Sequence, residues 1–186
     1  MAISLITEET AFGLPDTDSA AYLKQAMDYL AKSVTAQKLL KTLEGGNYDV
    51  AVLVQKDCYS MFVHAELAEQ QKINTAVIVW DPVATVTAFN DKLETMQSPA
   101  IGLAHEMGHA AQWVSSRGWY LAYVNQALQG NQKSKLLIEN DNIATWETPV
   151  AKELGEGTRK DYNTSANFAK AQKNYKCPYR LLPLGH

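Results

Sequence analysis

His105-Glu106-Met107-Gly108-His109 is the segment whose residue types and spacing could do chemistry. Two imidazoles four residues apart on a helix project from one face, about one turn apart, and can close on a single divalent ion. Glu106 points about 100° around the same helix, so it can act on a water beside the ion without being a ligand. The competing reading is two helix histidines in ordinary hydrogen bonds. The spacing favours the metal, and Zn²⁺ is the expected ion.

Catalytic zinc is usually held by three protein ligands with one position left for water. The extended pattern H-E-x-x-H-x-x-G-x-x-H is excluded, because Gln112 and Ser115 stand where Gly and His are required. Of the other histidines, His64 reads as a surface or cleft residue and His186 is the final residue. A carboxylate must then complete the set, and Glu139, Asp141, Glu147, Glu153, Glu156 and Asp161 follow the motif. Glu147 ranks first because its helix can turn back antiparallel across the site, with Thr148-Pro149 pinning the chain. Glu139 ranks second.

The elements that must position these groups are legible in outline. Residues 18–44 carry apolar residues at three- and four-residue spacing, which predicts helix, with a break near Ser33 and a stop at Gly45-Gly46. YDVAVLVQ (48–55) and TAVIVWD (75–81) are short and rich in β-branched residues, which predicts strands, and Met61 to Val63 suggests a third. Ser98 and Pro99 are expected to cap and open the metal-bearing helix, and Gly118 to lie just past its end. Leu103, Met107, Ala110 and Val114 would form its apolar stripe, with His105, His109 and Gln112 on another face. Gly102 and Gly108 weaken a helix, so close packing against a neighbour is expected there. Lys135 to Leu154 reads as helix in two pieces, with Asn142 or Thr145 as a cap and Gly155 and Gly157 as the stop.

Composition bounds the rest. A chain of 186 residues, 46% hydrophobic and with a net charge of −3, fits one domain spanning 1–186 with a sizeable core. No basic stripe points to nucleic acid, and no apolar run of about 18 residues points to a membrane span. The N-terminus, MAISLITEETAFGLPDTD, lacks the cationic start of a standard secretory signal. Cys58 and Cys177 are too few for a disulfide framework, and free thiols are the default.

SPAIGLAHEMGHAAQ (98–112) and ETPVAKELGEGTRKDY (147–162) together resemble one family: bacterial effector zinc metallopeptidases of the NleD type, injected by type III secretion, and related type VI secretion toxin domains. There a proline-led helix bears H-E-L-x-H-A, and a later E-N/T-P-like helix ends in a Leu-Gly turn followed by Arg-x-x-Tyr. Glu147, Leu154, Gly155, Arg159 and Tyr162 fall at the matching intervals, and AVIVWDP (76–82) looks like the strand before the zinc helix. Similarity covers roughly residues 75–162; Thr148 stands where asparagine is common, and the first 70 residues show no match.

The resemblance implies an α+β, zincin-like metallopeptidase, mostly helical, with a small β-sheet beside the zinc helix. It implies Glu147 as third zinc ligand and a protein or peptide substrate. Delivery would use a bacterial secretion apparatus, and a cognate immunity or inhibitor protein would be the further partner. Glu106 would serve as general base, with Tyr162 or Arg159 donating to the oxyanion. The strand at 75–80 would bind substrate by β-addition if it lies at a sheet edge. Two other readings compete: a housekeeping zinc hydrolase of small peptides or amides, and a non-catalytic domain that zinc stabilises.

Overall fold

Ser33 divides the first helical stretch, as the break in its pattern predicts. The computed structural model describes residues 4–6, 18–56, 58–70, 75–90, 93–159 and 162. Within them, α1 spans Ser19–Leu30 and α2 spans Val34–Glu44. Ser33 is the N-cap of α2, its hydroxyl accepting from Ala36 N at 3.0 Å. Leu30, Leu39 and Leu43 from the two helices enter the main core.

Strands β1 (Ser4–Ile6), β2 (Val50–Val54), β3 (Met61–Val63) and β4 (Ala76–Trp80) form one sheet in the order β1-β2-β4-β3. β1, β2 and β4 run parallel, and β3 pairs antiparallel with β4, Phe62 opposite Ile78. Every residue of β2 and β4 is buried, which is why both read as unbroken apolar runs. β4 therefore lies inside the sheet, not at its edge; β3 takes the edge place expected of 75–80. A separate hairpin joins β5 (Val86–Asn90) to β6 (Leu93–Gln97), and Phe89 forms an isolated bridge with Thr158.

α3 (Ala65–Gln70) follows β3, and α4 (Pro99–Ser115) is the helix of the histidines. Pro99 opens it as expected, but the Ser98 hydroxyl does not cap it. That hydroxyl donates instead to Glu156 Oε1 at 2.6 Å. The α4 segment from Ile101 to Trp113 is buried on every side apart from the partly exposed Gly102, so the expected contrast of faces gives way to an enclosed central helix. It packs against β4 through Trp80, whose ring N–H donates to Pro99 O at 2.8 Å.

α5 (Arg117–Leu128) begins almost at once, after a break at Ser116 (φ −141°, ψ 48°). Gly118 accordingly lies inside α5 and terminates nothing. Asn131 caps α6 (Gln132–Asn142), accepting from Lys133 N at 3.1 Å and Ser134 N at 3.3 Å. A π-helical turn, Ile143–Glu147, continues without interruption into α7 (Thr148–Glu153), which stops at Gly155 with φ 73°. Asn142 and Thr145 are thus interior to a continuous helical run and cap nothing. The architecture is α+β, mostly helical with a small sheet, and no helix among the described residues is long and apolar enough to cross a membrane.

Cys58 is buried and disulfide-bonded, which corrects the free-thiol default for that residue; Cys177 lies outside the described residues.

Candidate metal centre

His105 and His109 project from α4 with their rings at 90° and their Nε2 atoms 3.1 Å apart. Facing them from α6 is Glu139, whose Oε2 lies 3.2 Å from the first Nε2 and 3.3 Å from the second. All three residues are buried. Glu139 Oε2 makes ion-pair contacts with both rings but, among the described residues, no well-formed hydrogen bond. Two ring nitrogens and a carboxylate oxygen converging in a buried space need a positive charge among them, which a protonated ring or a bound cation can supply. That donor set fits a divalent ion, and these three residues could hold one.

Glu147 is displaced from the role expected of it. Its carboxylate is next to His105 but on the far side of the ring, accepting from Nδ1 at 2.7 Å. The carboxylate grouped with the two Nε2 atoms is that of Glu139, the second-ranked candidate. The π turn supplies the physical reason. Eight residues of plain α-helix rotate about 800°, which would leave Glu147 about 80° away from Glu139 around the axis. A π turn takes more residues to go round, so it rotates less per residue and removes much of that offset. Both carboxylates can then reach opposite nitrogens of one imidazole.

A carboxylate behind a ligating histidine fixes its tautomer and raises its basicity. Glu147 is itself held: Arg159 Nε donates to its Oε1 at 2.7 Å, and Arg159 Nη2 bonds its other oxygen. Gln97, at the end of β6, donates from Nε2 to Glu147 Oε1 and to Gly157 O, each at 3.1 Å. Burial alone would raise the Glu147 carboxyl, but the hydrogen bonds from Arg159 and His105 outweigh it and bring the pKa down to about 2. Burial likewise works against a charged His105, yet the nearness of Glu139 and Glu147 lifts its pKa to about 10. Arg159, expected as an oxyanion donor, is committed through Nε and Nη2 to Glu147, with Nη2 also 3.0 Å from His105 Nδ1. It holds the residue that holds His105.

Glu106 is buried beside the triad, and its pKa is raised, first by burial and, against the nearby histidines, by the charge of Glu139. Tyr162 reaches the same field: its hydroxyl pKa is raised by burial and by the charges of Glu139 and Glu106. Its backbone N–H donates to Asn140 Oδ1 at 3.3 Å, tying the Arg-x-x-Tyr segment to α6. His64, expected in a cleft or at the surface, is buried, 3.1 Å from Glu66 and edge-on to Tyr120. It is not a member of the triad.

Sequence reasoning missed four contributors. Gln97 braces Glu147, and Tyr120 is a buried phenol raised by burial and then by Glu139 and Glu106. Asn142 donates to His105 O at 2.8 Å, and Asp141 anchors Gln112. Their partners are distant in the chain, Gly157 as far as 60 residues from Gln97, and no local pattern announces them.

Comparison of the chain with protein-family models, curated proteins and solved structures finds no match. The functional reading therefore rests on the side chains themselves.

Proposed function

We propose that this chain is a zinc-dependent endopeptidase, with His105, His109 and Glu139 as ligands and Glu106 as general base. The observation that carries the reading is the convergence of two Nε2 atoms and a buried carboxylate oxygen within 3.3 Å, with a second buried glutamate on the same helix as the histidines. Two imidazoles and one carboxylate suit zinc, and three protein ligands, rather than four, suit a catalytic site. An ion held there supplies Lewis acidity to a substrate carbonyl and to water.

The chain's own groups do the rest. Glu106 takes a proton from the attacking water and passes it to the leaving amine; its raised pKa suits a base that must also give the proton back. Glu147, braced by Arg159 and Gln97, keeps His105 Nε2 facing Glu139. Tyr162, whose hydroxyl feels the charges of Glu139 and Glu106, is the donor we assign to the negative charge developing on the carbonyl oxygen.

The two sequence blocks that resemble the bacterial effector metallopeptidases support a secreted effector or toxin acting on a protein substrate, with a secretion apparatus and a cognate inhibitor as partners. A disulfide at Cys58 suits passage through an oxidising compartment. Zinc-loaded protein should cleave an unfolded polypeptide, and Glu106→Gln should bind zinc equally well and cleave nothing. Full cleavage by that variant overturns the reading.

A further inference from the structure

Gln112 lies three residues beyond His109 on α4 and occupies the place where the second histidine's supporting group should be. His109 Nδ1 is 3.0 Å from Gln112 Oε1. The other end of the amide donates from Nε2 to Ile138 O at 3.0 Å and to Asp141 Oδ2 at 2.7 Å. A backbone carbonyl and a carboxylate can only accept, so the amide nitrogen must face them and the oxygen must face His109. An oxygen cannot donate, so Nδ1 carries a proton, and in the neutral ring Nε2 then presents its lone pair toward Glu139.

We propose that Gln112 is a positioning residue for the metal, and that it builds the site from both sides at once. It fixes the tautomer and tilt of His109 on α4. Through Ile138 and Asp141 it also grips α6 on both flanks of Glu139. The two histidines are thereby backed unequally. His105 leans on the buried anion Glu147, whereas His109 leans on a neutral amide relayed to the exposed Asp141. His109 would be the more weakly supported ligand of a bound ion. This inference rests on the metal reading of His105, His109 and Glu139.

Zinc affinity, read by competition with a chromophoric chelator, and the proton spectrum of the cobalt-substituted protein test it together. Wild-type protein should bind one equivalent and show two slowly exchanging, hyperfine-shifted ring N–H signals, one per histidine. Gln112→Leu should weaken zinc binding by about 10- to 100-fold, the range found when such supporting partners are removed. It should also lose one N–H signal and keep the other. A role confined to stapling α4 to α6 would lower folding stability and disturb both signals alike. Asp141→Ala, which leaves the Gln112 oxygen on His109, should give a smaller loss and faster exchange of the same signal. Wild-type affinity with both signals protected in Gln112→Leu overturns the proposal; if that variant fails to fold, the same result in Asp141→Ala does so. Wild-type protein that takes up neither zinc nor cobalt removes the metal reading itself, and this inference with it.

Discussion

Asn142 packs against Gly108 so closely that a Cβ on that glycine would stand 1.9 Å from the Asn142 Oδ1 atom. The glycine in the middle of the histidine motif is therefore the point where α6 is allowed to reach α4. Asn142, three residues from Glu139, enters that gap and donates to His105 O. Gly108→Ala must push α6 away. We expect about 1–3 kcal/mol of destabilisation from overpacking and a parallel loss of zinc affinity as Glu139 retreats. Gly102→Ala is the matched control, since nothing lies within 4 Å of its Cβ. It should leave affinity unchanged and stabilise by up to about 1 kcal/mol through helix propensity. Urea unfolding and zinc titration of the two variants check this, and equal behaviour would count against the packing argument.

The two glutamates on the α6–α7 run should separate cleanly by substitution. Glu139→Gln removes a charged ligand, and the dialysed protein should retain no stoichiometric zinc. Glu147→Gln keeps all three ligands and should bind zinc about 10- to 100-fold more weakly. It also leaves the Arg159 cation buried without its anion, which should cost about 3–5 kcal/mol in folding. Metal analysis and thermal unfolding of both variants decide the assignment. Tighter zinc retention in Glu139→Gln than in Glu147→Gln would restore Glu147 as the ligand.

Glu153 links α7 to the start of α2 and should make part of the stability depend on acid. Hydrogen bonds from the Ser33 hydroxyl, then from Thr35, hold its carboxyl down at about 2. A folded pKa below the unfolded 4.5 means the contribution is complete above pH 4.5 and fades as pH falls toward 2. Ser33→Ala should move the Glu153 titration upward, toward 4.5, and flatten stability across that window. Carboxyl-carbon NMR titration reads the shift. Because the group is exposed, added salt should shrink the effect, and an unmoved titration in Ser33→Ala would refute it.

Strands β2, β3 and β4, the divided first helix and the histidine helix were legible because each follows from local periodicity and punctuation. β5 and β6 escaped notice because their residues are mixed and partly exposed, and β6 has only Gln97 buried. α5 was missed because its apolar residues form no clear stripe around an axis that packs on more than one neighbour. The exchange between Glu147 and Glu139 is the instructive case. Both were candidates, and choosing between them requires the helical phase from 139 to 147. Sequence pattern assumes α-helical rotation, whereas the chain inserts a π turn at Ile143–Glu147. Gln97, Asp141 and Asn142 act through partners distant in sequence, so only the folded chain reveals what they do.

Arg159 and Tyr162, three residues apart, should fail in different ways. Arg159 is bonded to Glu147, so Arg159→Leu should lower zinc affinity and folding stability along with activity. The Tyr162 hydroxyl lies in the field of Glu139 and Glu106, and its backbone is separately tied to Asn140. Tyr162→Phe keeps the ring and the backbone tie while removing one donor. If that donor meets the oxyanion, kcat should fall by about 10²- to 10³-fold, with KM and zinc affinity nearly unchanged. Steady-state kinetics on a single peptide, paired with zinc titration, separates the two residues. A Tyr162→Phe enzyme with wild-type kcat would leave the oxyanion to the metal alone.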